Sequence, residues 1–240
     1  MIKTSIIMTH YAETEERVDI ARRCILAVQP HRNKTTEFIL IFDGIFPYRD
    51  EFIKYADQWH ERPNDASPGR SWNIGARMAK GNILCFICDD NLLDEGAVAQ
   101  CVRLVKKYPQ YIVTPLPPHP GREGDVYSLV DGYSGNTRGG DQCIFMTRQI
   151  FEDIGPRDEV DPFTDGINYV NRRIAKGYHV LMTKKPMAKD MAFGRHSFIN
   201  QMQRLGYRGY KKTKPLYSRE KLLKFTYRDR PAKITDKESH

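Results

Sequence analysis

Three carboxylates stand where apolar runs stop. The run EFILIF, residues 37–42, ends at Asp43, and ILCFIC, residues 83–88, ends in the adjacent pair Asp89 and Asp90. Runs this apolar read as strands covered on both faces, and in an open α/β sheet the ligand lies beyond the carboxyl ends of the strands. Asp and Asn also end strands simply because they form turns. Clustered at such an edge, however, they make an oxygen-only ligand set. With no His or Cys cluster beside them, these oxygens select Mg²⁺ or Mn²⁺, usually shared with substrate phosphates. The matching substrate carries a nucleoside diphosphate, and the ion would offset charge on a phosphate leaving group. Asp165 closes the loop DPFTD and heads a helix; a carboxylate there either caps the helix or takes a proton from an acceptor hydroxyl. Arg70, near the start of another helix, either meets a phosphate or holds an acid. His196, in FGRHSF, and His10 are lone histidines with no ligand cluster around them.

Holding these groups at one edge requires a sheet, and the hydrophobic pattern supplies one. Strands are predicted at 4–9, 37–42, 83–88 and 111–114, and helices at 13–28, 50–59, from 69 or 71 to 80, and 95–107, the last capped by Asp94. Strand and helix alternate through residues 1–115, which implies a mostly parallel, Rossmann-like sheet with helices on both faces. No GxGxxG follows the first strand and no GxxxxGK[ST] occurs, so neither a dinucleotide fingerprint nor a Walker loop is present. After Pro115 the texture changes to the loop PLPPHPGREGD and an exposed alternating strand at 125–133. A strand at 142–147, a helix at 148–154, an acidic loop at 155–163, a helix at 165–176 and a strand at 178–182 complete the pattern.

The 240 residues carry 38 Lys and Arg against 30 Asp and Glu, a net +8. From Arg204 to His240 there are 12 basic and four acidic residues, so residues 1–203 are neutral and the whole excess belongs to the C-terminal segment. Tyr207, Tyr210, Tyr217, Phe225 and Tyr227 interleave with those cations, a composition suited to nucleic acid or another phosphate-bearing partner. An acidic membrane surface would suit it as well; otherwise its aromatics pack back on the body. No apolar run reaches membrane-spanning length, and the N-terminal residues meet acidic side chains without a small-residue cleavage site, so a cytoplasmic protein is expected. The five cysteines, Cys24, Cys85, Cys88, Cys101 and Cys143, read as reduced core residues. Cys85 and Cys88 have CxxC spacing but lie within a strand, where positions i and i+3 point to opposite faces.

These stretches together resemble the family 2 glycosyltransferases over about residues 3–200. SIIMTHY is similar to the family's first strand and nucleobase-facing loop. The resemblance thereby implies Thr9 and Tyr11 near the base, and Asp43 reading base or ribose. GRSWNIGARMAKGNILCFICDDN resembles an Arg-Asn-x-Gly helix followed by a strand ending in Asp-x-Asp, which adds Arg70 and Asn73 to the donor-binding set. Counted from Gly81 the Asp-x-Asp falls on Cys88 and Asp90; shifted by one it falls on Asp89 and Asn91. Asp90 is the implied metal ligand, with Asp89 beside it on the donor side. GGDQCIFMTRQIFEDIGPRDEVDPFTDGINYVNRRIAKGYHV is similar to the acceptor-side block. It implies Asp165 as general base, with Asp161 as the alternative, and His196 as a further metal ligand.

What the resemblance implies is a GT-A fold: one catalytic body at 1–203, with a nucleotide-sugar half at 1–115 and an acceptor half at 116–203, then the basic aromatic extension at 204–240. It implies inverting transfer from a nucleoside-diphosphate sugar, a UDP-sugar first among donors, with Mn²⁺ or Mg²⁺ as cofactor. The acceptor hydroxyl belongs to a nucleic-acid base, an acidic glycan or a neutral acceptor, and Lys211, Lys212 and Lys214 are candidate contacts for acceptor phosphates. A metal-dependent nucleotidyltransferase and a non-enzymatic nucleic-acid-binding protein are the competing readings. In the transferase reading, the turn at Asp89, the end of the 37–42 strand and the head of the Asp165 helix face one cleft.

Overall fold

The computed structural model describes residues 3–12, 14–44, 46–62, 68–117, 126–136, 142–159 and 165–191, the side chains of Asp165 and Ile167 excepted. The first half alternates as the sequence predicts: β1 (Thr4–His10), α1 (Glu15–Val28), β2 (Thr36–Asp43), α2 (Arg49–Ile53), β3 (Gln58–Arg62), α3 (Pro68–Met78) and β4 (Ile83–Cys88). The three-residue β5 (Asn91–Leu93), α4 (Ala97–Lys107) and β6 (Ile112–Thr114) follow. The second half comprises β7 (Val126–Val130), β8 (Tyr133–Asn136), β9 (Cys143–Thr147), α5 (Arg148–Ile154), α6 (Asp165–Ala175), β10 (Val180–Met182) and β11 (Ala188–Asp190).

Nine strands form one sheet in the order β3-β2-β1-β4-β9-β6-β10-β8-β7. β3, β2, β1 and β4 are mutually parallel; β9 enters antiparallel to β4 and β6, and β10 runs parallel to β6. Alternate residues divide the core. Ile6, Met8, Phe38, Leu40, Phe42, Cys85 and Ile87 pack under α1 and α4, whereas Ile7, Ile39, Ile41, Leu84 and Phe86 pack under α3, α5 and α6. Each such fully buried side chain contributes roughly 1.5–3 kcal/mol, which is why the near-continuous apolar runs became the central strands. Cys85 lies in the first cluster and Cys88 packs against the second. The five thiols are free, all but Cys88 buried, and the CxxC pair is split across the sheet.

Three local readings differ from the pattern. The helix predicted at 50–59 stops at Ile53, and Gln58–Arg62 is an edge strand. α4 begins at Ala97 behind Gly96, whose φ of +80° is open to glycine, and Asp94 contributes its backbone carbonyl to Ala97 N–H. The exposed segment after Pro115 is a hairpin, β7 and β8, turned at Asp131 and Gly132.

α3 lies close on the sheet because Gly75 faces Ile7: a Cβ at Gly75 would fall 2.2 Å from Ile7 Cγ2. Gly75→Ala is therefore expected to destabilise the protein by about 1–2 kcal/mol, overpacking outweighing the better helix propensity of Ala. Thermal unfolding should show a Tm lower by roughly 2–8 °C.

Candidate functional site

The carboxyl edge of the parallel strands collects the acids. β1 ends in His10, β2 in Asp43, and β4 runs into Asp89 and Asp90. Strand parity then sorts them. Phe42 packs under α1, so Asp43 turns to the α3 side, where Arg62, its register partner on β3, pairs with it and also donates to Ser71 Oγ at 3.2 Å. Both members of the Asp43–Arg62 pair are buried. Thr9 and Cys88, register partners on β1 and β4, have the same parity. Loss of water around the half-buried Cys88 sulfur, with the charges of Asp90 and Asp89, pushes its thiol well up, so it stays protonated and is no partner for a hard cation.

Asp89 is on the α1 side. Its Oδ2 lies 2.8 Å from His10 Nδ1 and accepts the Tyr11 N–H at 3.1 Å, and its Oδ1 accepts from Arg17 Nη2 at 3.1 Å. Arg17 Nη1 reaches Asp90 Oδ2 at 3.3 Å, so one guanidinium spans both acids. Asp43 and Asp89 thus share the carboxyl edge of the sheet, Asp43 held on the α3 side and Asp89 on the α1 side. The cause is the two-residue period of strands.

Asp90 is held differently. Its Oδ1 accepts from Asn91 Nδ2 at 2.8 Å, and its backbone carbonyl accepts Met191 N–H at 2.7 Å. β11 pairs with β5 so that Asp190 sits opposite Asn91. Burial first, then the charges on Asp89 and Asp190, push the Asp90 carboxyl up to about 6 against the pull of Arg17. Asn91 is fully buried, and its Oδ1 has no hydrogen-bond partner among the described residues. Among those residues no three His, Cys, Asp or Glu side chains converge as a self-sufficient metal site. A carboxylate crowded by two other acids, next to an amide oxygen with no partner among the described residues, instead fits a hard cation whose shell is completed by substrate oxygens and water.

Asn73 and Arg70 join α3 to the chain after α5. Asn73 Nδ2 donates to the Arg157 carbonyl at 3.0 Å and to Glu159 Oε1 at 2.8 Å, and its Oδ1 accepts Arg157 N–H at 2.9 Å. Arg70 Nε donates to Glu159 Oε2 at 3.3 Å. The buried Arg157 guanidinium lies over the rings of Tyr169 at 4.6 Å and Trp72 at 5.5 Å. Asp165 is the first residue of α6. Asp161, His196, Lys211, Lys212 and Lys214 lie outside the described residues. Pattern reading missed Arg17, in the first turn of α1, and underrated His10; a cation and an imidazole close to a strand end that faces acids were the available signals.

The family model described as Glycosyl transferase family 2 matches residues 5–173. No curated protein matches the chain. Among solved structures, PcManGT, a mannosyltransferase from Pyrobaculum calidifontis in complex with GDP-Man and Mn²⁺, superposes with a TM-score of 0.62 at 12% identity over 84% of this chain and 60% of that one. GalNAc-T7 with UDP, GalNAc and Mn²⁺ gives 0.59 at 14% identity over 78% of this chain and 43% of that one. S. aureus TarS gives 0.57 at 11% identity over 85% and 39%. The chain therefore spans between 39% and 60% of the length of these structures, and at such identities the likeness is one of fold. Among the described residues no helix is long and apolar enough to cross a membrane.

Proposed function

As the chain belongs to the family 2 glycosyltransferases and has their GT-A architecture, we propose that it is an inverting transferase that takes a sugar from a nucleoside diphosphate at the edge built from β1 and β4. The observation that carries this reading is the acidic turn itself: the half-buried Asp90 carboxylate, crowded by the charges of Asp89 and Asp190, stands beside the Asn91 Oδ1, which has no hydrogen-bond partner among the described residues. Family membership favours sugar transfer over nucleotidyl transfer and over passive nucleic-acid binding. Mn²⁺ accompanies a nucleotide in GalNAc-T7 and PcManGT, and the same ion or Mg²⁺ is the cofactor proposed here.

In this reading Asp90 and Asn91 would hold the ion; His196, which the resemblance implies as a further ligand, lies outside the described residues. When bound, the ion supplies charge that offsets the diphosphate as it leaves. Thr9, Tyr11 and the backbone that Asp89 fixes bound the nucleotide, and a UDP-sugar is the donor proposed. Asp165, or Asp161 in its place, removes the acceptor hydroxyl's proton as that oxygen attacks the anomeric carbon in a single displacement. Residues 1–203 form the catalytic body. The extension at 204–240 draws in an anionic acceptor, an acidic glycan or nucleic acid, through Lys211, Lys212 and Lys214, so acceptor binding should weaken steeply with salt.

The test is to screen nucleotide sugars for hydrolysis, then offer acidic glycan, neutral glycan and duplex DNA with the preferred donor. Donor turnover should fall by about 100-fold or more on complete chelation and return with Mn²⁺. Turnover that survives metal removal would overturn the role given to Asp90.

A further inference from the structure

His10 is completely buried, its ring met edge-on by Phe42, Phe46, Phe52 and Tyr48 at centroid distances of 5.5, 5.4, 5.3 and 5.7 Å. An aromatic box is a costly place for a polar ring unless both nitrogens find partners. Nδ1 faces Asp89 Oδ2 at 2.8 Å, and Nε2 lies 3.2 Å from the Tyr48 hydroxyl. Tyr48 in turn donates to the Ala12 carbonyl at 2.5 Å. The ring is therefore fixed in position by packing on its sides and by polar contacts at both ends.

What this fixed ring holds is Asp89, whose two oxygens take three protein donors: His10 Nδ1, Tyr11 N–H and Arg17 Nη2. Those contacts leave Asp89 acting as an internal strut between the end of β1, the first turns of α1 and the end of β4. One end of the strut sets the backbone where β1 gives way to Tyr11. Its other end sets Arg17, whose second amine lies on Asp90. Such supporting contacts decide whether a site is held within its productive geometry.

We propose that His10 is the positioning residue of the donor site: by fixing Asp89 it sets both the Tyr11 backbone and the guanidinium that orients Asp90. This rests on the donor-site reading above. It also gives Asp89 a task other than direct contact with the nucleotide.

Two substitutions separate positioning from filling. His10→Leu fills most of the box without a donor, whereas His10→Asn places an N–H on the branch that carries Nδ1. Amide hydrogen exchange at Tyr11, measured on the full chain without ligand, should be about 10-fold or more faster in His10→Leu and close to wild type in His10→Asn. Binding of uridine diphosphate with Mn²⁺ should weaken about 10- to 30-fold in His10→Leu and stay within about threefold of wild type in His10→Asn, whatever either does to Tm. Should His10→Leu fail to fold, Asp89→Asn, which keeps the side-chain shape, is expected to speed Tyr11 exchange in the same way. Wild-type exchange at Tyr11 in the variant that removes the contact, or equal losses in Leu and Asn variants that track Tm, would overturn the proposal. A wild-type chain that binds neither uridine nor guanosine diphosphate would sink the donor reading instead, and the exchange measurement would still decide the role of His10.

Discussion

Asp90→Asn is expected to lower donor turnover by about 10³-fold while leaving the folded protein as stable as the wild type or more so. The two effects have one origin. Folding brings Asp90 into a half-buried position next to Asp89 and Asp190, with Arg17 as its cation partner among the described residues, and raises its carboxyl from 3.8 to about 6. A carboxylate whose folded pKa lies above its unfolded value binds its proton more tightly in the folded state, so stability rises as pH falls through about 6 toward 4 and is lost again at neutral pH. Asn removes that neutral-pH penalty. In chelator at pH 7.5 its Tm should be higher by roughly 2–8 °C, corresponding to about 1–2 kcal/mol, and the pH dependence of Tm between 4 and 7 should flatten. The same substitution removes the charge that would bind Mn²⁺, and losing transition-state charge stabilisation of about 4 kcal/mol gives the 10³-fold loss. An Asn variant that turns over donor at the wild-type rate in saturating Mn²⁺ would remove Asp90 from the mechanism.

How much of this was legible in the sequence depended on whether the signal was local. Ile83–Cys88 and Arg148–Ile154 match the predicted boundaries because each is bounded by its own punctuation, Gly81 and the acidic turn for the first, Gly155 for the second. β3 was not legible. Phe52, Tyr55, Ala56 and Trp59 fall at helical spacing, yet Asp57 ends the helical turn. Its N–H donates to Phe38 O at 2.8 Å, and its carboxylate accepts Phe38 N–H at 2.8 Å and pairs with Arg32. The chain is thereby committed to pairing with β2. The result is a polar edge strand with Trp59 42% exposed, unlike the apolar runs that advertise central strands. β5 and β11, three residues each, are too short for any periodicity to register. The site was read on the same terms. Acids at strand ends announce themselves, but their partners are set by pairing between distant segments. Misreading β3 as helix concealed that Arg62 stands in register with Asp43, and nothing near Arg17 in the chain says that its amines reach two residues more than 70 positions away.

That register pair carries the largest expected effect on stability. Asp43 and Arg62 are both buried at the end of β2 and β3, Arg62 also donating to Ser71 on α3. Taking either ion out of water costs several kcal/mol, which mutual attraction recovers only while both are present. Arg62→Met should therefore leave Asp43 buried without its principal counter-ion and cost about 3–5 kcal/mol, visible as a Tm lower by roughly 6–20 °C. Asp43→Leu alone should cost a similar amount for the converse reason. Combined, the two replace an ion pair by apolar side chains and should regain most of the loss, since a buried pair exchanged for well-packed hydrophobes is often neutral or stabilising. The double variant also isolates the donor question. If Asp43 only anchors β3 to the sheet, the refolded double variant binds uridine diphosphate with Mn²⁺ as the wild type does. If the carboxylate reads base or ribose as well, affinity stays about 10-fold or more down although stability has returned. Thermal unfolding and nucleotide binding measured on the same three variants distinguish the two, because packing restores the first quantity and only a carboxylate restores the second.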